Sequence, residues 1–391
     1  MSAVPPRGRR WEVADVLGLH GQTYRQRSPL PSSHLKVMRA LVACRTVALG
    51  GHMHRCDQCG FARPAYNSCR NRHCPKCQTL AKARWLAARE AELLPVPYFH
   101  TVFTLPHELN AIALANKKIV FDILFQSVSE TLLSFAAREL RGKLGITAIL
   151  HTWDQKLNTH IHLHCAIPAG ALSFDGKSWN PSHPTFLFPV KALGRMFRAK
   201  FLDSLQGAQA THRLALPDPH SLQSLINALY AKDWVVYSKE AFAGPKVVLD
   251  YFGRYTHRIA ISNNRLLNVS NAQVTFTYRD RRDQNKQKLM TLTADEFIRR
   301  FLLHVVPHSF VRIRHFGFLA NRAKMKDLPR CRELLGIPVQ DSPPQPEEKS
   351  TEDFIHDLTG LAIGACPACQ NGRLRVAEDI PKEPLPLWNS P

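Results

Sequence analysis

Two short cysteine motifs constrain this chain more than anything else in it: Cys56-Asp-Gln-Cys59 and Cys74-Pro-Lys-Cys77, separated by fourteen residues. Each CxxC loop can turn two thiolates toward one ion, and the stretch between is long enough to fold back. The spacing therefore predicts a structural zinc shared by Cys56, Cys59, Cys74 and Cys77. Six of the ten cysteines lie between Cys44 and Cys77, which suits metal ligation in a reducing compartment better than disulfides. Cys69 and His73, with His52, His54 or Cys44, either complete a second site or compete for the first. Cys44 alone reads as a small buried hydrophobe. Cys366-Pro-Ala-Cys369 is half a zinc site, with Cys331 and His356 as weak candidate partners.

Lys and Arg number 52 against 31 Asp and Glu, a net charge of +21. A field of that sign recruits polyanions, and nucleic acid leads among them. The hydrophobic share of 45% over 391 residues supports a large core and more than one domain. No stretch approaches the roughly 20 uninterrupted apolar residues of a membrane span, and the first ten residues lack an apolar signal core. A cytoplasmic protein with no membrane partner is expected.

Residues 1–30 read as a flexible lead, with a short helix over Trp11–Leu19. Ser33–Cys44 reads as a helix, and Thr79–Leu94 as another that ends at Pro95 and Pro97. Tyr98–Leu105 is β-branched and aromatic, as a strand would be, and a long helical region follows from His107 to Arg141. Gly145–Asp154 and His160–Ser173 form strands joined by an antiparallel turn. Lys191–Gln206 and His220–Lys232 are helical, and Asp233–Tyr237 is extended. Pro245–Thr256 is a helix, with Pro245 suited to its first turn. Arg258–Ser262, Gln273–Arg279 and Lys286–Leu292 follow as strands, then Ala294–Val305 as a helix. Gln340–Asp353, rich in Pro, Glu, Asp and Ser, is a linker. The expected divisions are a lead over 1–30, a zinc-binding domain with its connecting helix over 31–94, a catalytic domain over 95–335, and a linker and tail over 336–391.

Within the third of these, His160-Ile-His-Leu-His164 would alternate along a strand, placing three imidazoles on one face and Ile161, Leu163 and Cys165 on the other. Tyr251 and Tyr255, four apart, would stand on one side of a helix. A divalent ion on two imidazoles and a third group polarises a phosphate oxygen, and a phenolate attacks the phosphorus. The alternating histidines His160, His162 and His164 are candidate ligands, with Gln155 just upstream or a group from the tyrosine helix as further candidates. Arg254 and Arg258 stand three residues after each tyrosine, close enough to meet a phosphate held there. Thr275–Arg282, with Tyr278 and Arg279, interleaves aromatics and cations as a single-strand contact does.

These motifs resemble the rolling-circle two-tyrosine transposases of the insertion sequence 91 family. The likeness rests on His160–His164 followed by Pro168-Ala-Gly170, on Gly244-Pro245 leading into Tyr251–Ser262, and on Tyr66–Gln78, which matches that family's N-terminal zinc-binding domain. It runs from about Cys44 to Leu335. The resemblance implies an α+β protein: a zinc-binding module, then an HUH endonuclease domain whose antiparallel sheet is flanked by helices. It further implies nicking and rejoining of single-stranded DNA at transposon ends and target, on the bacterial nucleoid, through a 5′-phosphotyrosine. In that reading Tyr251 and Tyr255 are the nucleophiles, aided by Arg254, and His162 and His164 hold Mg²⁺ or Mn²⁺. A homo-oligomer is compatible with it. The competing readings are a replication initiator or relaxase with the same chemistry, and a zinc-dependent DNA-binding protein that is catalytically inert.

Overall fold

The computed structural model describes residues 10–216, 219–242, 247, 253, 260–280, 282–337 and 349–384. The chain folds into two compact units. The first draws on Met1–Ala81, Ile261–Arg299 and Ser342–Pro391, and the second on Lys82–Ala260 and Arg300–Asp341. These units depart from the divisions at 94/95 and 335/336 that composition suggests, because strand pairing joins distant stretches of chain. Strands are numbered in chain order.

The first unit opens with the helices Val13–Arg27 and Ser32–Ala43. The lead is thus not flexible throughout. Val13, Val16 and Leu17 recur at helical spacing and are wholly buried, and Glu12 and Asp15 form a reciprocal capping box at the helix start. Strands β1 (Gly51–Cys56) and β2 (Ala62–Tyr66) form a hairpin. β13 (Leu374–Ile380) pairs antiparallel with the other edge of β1, so the three strands lie in the order β13-β1-β2.

A second sheet in this unit, ordered β11-β10-β9, is a meander of β9 (Leu266–Ser270), β10 (Gln273–Asp280) and β11 (Lys286–Thr293). β10 alternates: Val274, Phe276 and Tyr278 are buried, and the Phe276 ring meets Phe297 edge-on at 6.0 Å. Among the described residues of Arg258–Ser262, expected as a strand, 260–262 are not extended into a sheet.

The second unit is built on a seven-stranded sheet. β3 (Tyr98–Thr104), β4 (Gly142–Trp153) and β5 (Thr159–Pro168) form its centre, with β4 and β3 antiparallel to β5 on either side. β6 (Gly170–Ser173) and β7 (Trp179–Pro181) extend it beyond β4, and β8 (Val236–Phe242) lies outside β3. β12 (Ile313–Gly317) also pairs with β4.

Strand alternation divides the sheet into two faces. Ile161, Leu163, Cys165 and Ile167 of β5 turn into the main core, covered by the helices Lys117–Phe135 and Val190–Ala210. Phe197 meets Phe103 and Trp234 edge-on at 5.3 and 5.1 Å. The opposite face has a smaller core at one end, where Ile149 and Ala166 pack with Phe318, Leu328 and Cys331 beneath the helix Asn321–Leu334. The other end of that face carries histidines. Lys117–Leu140 is long and apolar enough to cross a membrane, but Lys118, Asp122 and Glu130 interrupt its apolar run and 67% of its apolar window is buried within the fold.

Candidate metal centres and catalytic face

The register of β3, β4 and β5 creates an imidazole cluster on the second unit's sheet. Residues directly opposite across antiparallel strands share a face, and His162 of β5 lies opposite His151 of β4 and Thr104 of β3. His164 lies opposite Ile149 and Val102, leaving His151 and His100 as its diagonal neighbours. The ligand atoms of His151, His162 and His164 all lie within 4.8 Å of one another, and all three residues are buried.

Hydrogen bonds orient these rings. His162 donates its Nδ1–H to the His160 carbonyl at 2.9 Å, which leaves a lone pair on Nε2. His164 Nδ1 lies 2.8 Å from Nε2 of His100. Burial, reinforced by the charge of Lys239, pushes His100 down to about 3, so its ring stays neutral and can accept the Nδ1–H of His164. With that assignment, the Nε2 lone pairs of His162 and His164 face each other at 3.0 Å. Two acceptors so close repel unless a cation lies between them. Metal–nitrogen bonds of about 2.1 Å at a right angle would also separate the two atoms by about 3.0 Å. The donor set therefore fits a divalent ion with open positions for substrate.

His151 is the residue that sequence reasoning missed. Its signal was available, since His151 and Trp153 alternate along β4 as His162 and His164 do along β5, but a single histidine in an apolar strand carries little weight alone. Trp153 stacks on the His151 ring at 4.8 Å. His160, one expected third ligand, is exposed at the edge and is not among the converging ligand atoms. Gln155, the other, lies in the turn after β4, where Asp154 accepts the backbone N–H groups of Lys156 and Asn158.

Tyr251, Arg254, Tyr255 and Arg258 lie outside the described residues. Gly253, between the tyrosines, is helical and buried. A Cβ there would come within 2.9 Å of Leu86 Cδ1 in the helix Pro75–Glu90. Of the expected strand contacts, Arg279 is exposed, but Tyr278 faces the core of the β9–β11 sheet at 9% exposure. Stacking of a base on Tyr278 is thereby corrected: the period-2 alternation that buries Phe276 buries it too.

The cysteines of the first unit sort into two sets of four, Cys44, Cys69, Cys74 and Cys77, and Cys56, Cys59, Cys366 and Cys369. The expected sharing of one zinc by Cys56, Cys59, Cys74 and Cys77 is therefore corrected. Pairing of β1 and β2 carries Cys56 and Cys59 to the opposite end of the hairpin from Gly51 and Tyr66, near which Cys44 and Cys69 enter. Cys44 ends the helix Ser32–Ala43, Cys69 follows β2, and Cys74 and Cys77 sit at the start of the helix Pro75–Glu90, where the helix dipole favours thiolates. In this set Cys44 lies 3.6 Å from Cys74 and from Cys77, and Cys77 lies 3.6 Å from Cys69. A tetrahedron with metal–sulfur bonds of about 2.3 Å has edges of about 3.8 Å.

Without a cation the sulfurs of Cys44, Cys69 and Cys74 compete for protons. Hydrogen bonds from Cys69 and Cys74 hold Cys44 down to about 2, while the same contacts push Cys69 upward and Cys74 up to about 12. A dication replaces that conflict with four thiolates. Neither His73, which bonds to Asn71, nor His52, which bonds to Asp379 at 2.8 Å, is among the converging ligand atoms of the set. Cys44→Ser with Cys69→Ser should lose one zinc ion per chain and destabilise the first unit by several kcal/mol, read by elemental analysis and thermal melting. Unchanged zinc content would exclude this grouping.

Residues 16–105 match the family model described as "Transposase zinc-binding domain", and residues 145–326 the one described as "Putative transposase". "Putative transposase y4qJ" of Sinorhizobium fredii (strain NBRC 101917 / NGR234) is 47% identical over 377 residues, covering 94% of this chain and 95% of its own length. The "Transposase for insertion sequence element IS801" of Pseudomonas savastanoi pv. phaseolicola is 33% identical over 322 residues, covering 80% of this chain and 76% of its own. The chain belongs to the insertion sequence 91 family of transposases. No solved structure matches it. As a transposase it acts on DNA, and its N-terminal domain binds zinc. The family's zinc-binding model covers both Cys56–Cys59 and the Cys44 set but ends at residue 105, well short of Cys366.

Proposed function

We propose that this transposase nicks and rejoins single-stranded DNA at transposon ends by rolling-circle chemistry, acting in the cytoplasm on nucleoid DNA. The observation that carries the reading is the convergence of His151, His162 and His164 on one sheet face. Mg²⁺ or Mn²⁺ held there would withdraw charge from a non-bridging oxygen of the scissile phosphate. The phenolate oxygen of Tyr251 or Tyr255 attacks phosphorus, the bond to the 3′ oxygen breaks, and that oxygen takes up a proton. The products are a 5′-phosphotyrosyl link and a free 3′-hydroxyl, and attack by a 3′-hydroxyl on the link reverses the bookkeeping and rejoins the strand. A phenol with an ordinary pKa near 10 needs a neighbouring charge to ionise, and Arg254 in the same motif suits that role.

The test is a covalent adduct. Single-stranded DNA from the flanking element, end-labelled and incubated with the protein, should give a species resistant to denaturation with Mn²⁺ or Mg²⁺ and none with chelator. An adduct that forms equally well in chelator would refute the metal-dependent mechanism.

The +21 charge supports a polyanion partner, and Arg258 and Arg279 are the side chains proposed to meet its backbone. Affinity for single-stranded DNA should fall with salt, log K dropping by roughly 0.7 per phosphate contact for each tenfold rise. Arg279→Ala should flatten that slope, measured by fluorescence anisotropy across a salt series. A salt-independent affinity would count against the backbone contacts.

A further inference from the structure

We propose that Cys56, Cys59, Cys366 and Cys369 bind a second zinc ion that fastens the C-terminal segment to the N-terminal module. Cys56 and Cys369 sulfurs lie 3.7 Å apart, and Cys59 and Cys366 sulfurs 3.6 Å apart. Those separations are far beyond a disulfide's roughly 2.0 Å and close to the edge of about 3.8 Å for a four-sulfur tetrahedron.

The two halves are built alike. The residue after the second cysteine takes a positive φ in each, Gly60 at 73° and Gln370 at 60°. Its N–H bonds back to the carbonyl of the first cysteine, Gly60 to Cys56 and Gln370 to Cys366. The first cysteine's own N–H closes the loop, Cys56 onto the Phe61 carbonyl and Cys366 onto that of Gly372. Backbone N–H groups also point at the sulfurs: Gln58 donates to Cys56 Sγ at 3.4 Å and Gly372 to Cys369 Sγ at 3.3 Å. Donation of this kind stabilises a thiolate.

Residues between the knuckles lock them together. Asp57 donates its backbone N–H to the Arg373 carbonyl at 3.0 Å and accepts the Arg373 N–H on its carboxylate at 2.8 Å. Gly372 is required by the approach itself, because a Cβ there would fall 2.4 Å from Cys56 Sγ. β13 then pairs along β1, placing Leu374 opposite Cys56. Two CxxC loops brought face to face, with matching turns and a glycine clearing the space for a sulfur, form a closed structural zinc site.

The test uses the full-length chain and two measurements that do not depend on catalysis. Elemental analysis of wild type, dialysed against excess Mn²⁺ to replace any zinc on the histidines, should give two zinc ions per chain, and Cys366→Ser with Cys369→Ser should give one. Zinc-edge X-ray absorption on the same wild-type protein needs no variant and should report sulfur only, four per zinc. One zinc in wild type, two in the double variant, or a mixed sulfur and nitrogen shell would each overturn the proposal.

Discussion

Replacing Tyr251 and Tyr255 together by phenylalanine should abolish the covalent protein–DNA adduct, a loss of at least roughly a thousandfold, while affinity for single-stranded DNA changes little. Only the phenolic oxygens are removed, so ring packing and charge persist. The single variants should behave differently from the double. On the helix that the sequence pattern predicts, the two phenols stand about 6 Å of rise apart, so either should reach one phosphate after a small shift and sustain simple nicking. Strand transfer holds two ends at once and should fail in either single variant. A denaturing gel with end-labelled DNA decides the matter. An adduct in the double variant would place the nucleophile elsewhere.

Removing the third imidazole should be nearly as damaging. His151→Ala is expected to lower Mn²⁺ affinity and cleavage by more than about a hundredfold, because losing a group that touches the ion should cost more than the 10–100-fold typical of losing one that only orients a ligand. His160→Ala and Gln155→Ala should stay within several-fold of wild type. Calorimetric titration of Mn²⁺ separates a ligand from a DNA contact. Should Gln155→Ala or His160→Ala lose the ion while His151→Ala retains it, the third position would belong to another residue.

Local pattern accounts for what could be read directly. His160–His164 specify their strand because Ile161, Leu163 and Cys165 between them are apolar, and two-residue alternation leaves one arrangement that buries them. The buried face of β10 follows from the same rule, which turns Tyr278 inward with Val274 and Phe276. What the sequence could not reveal is non-local. His151 becomes interesting only when the β4–β5 register sets it opposite His162. The cysteine grouping failed for the same reason: two CxxC loops fourteen residues apart look like natural partners. Each finds its complement elsewhere, Cys74 and Cys77 in the isolated Cys44 and Cys69, and Cys56 and Cys59 near the chain's end. Spacing identifies half-sites well and matches them poorly.

The meeting of β13 with β1 also governs how this protein can be made. Cys56 and Cys369 are 313 residues apart in sequence, so a ribosome that has released the first cysteine loop must synthesise most of the chain before its partner emerges. At about 5–20 residues per second, that interval is on the order of tens of seconds. Throughout it, one edge of β1 is unpaired and two thiols wait without their complement, a state open to wrong strand pairing and oxidation. Completion of the first unit therefore waits on synthesis of β13, and chains truncated before it should be recognisable to proteases by the loose end they leave.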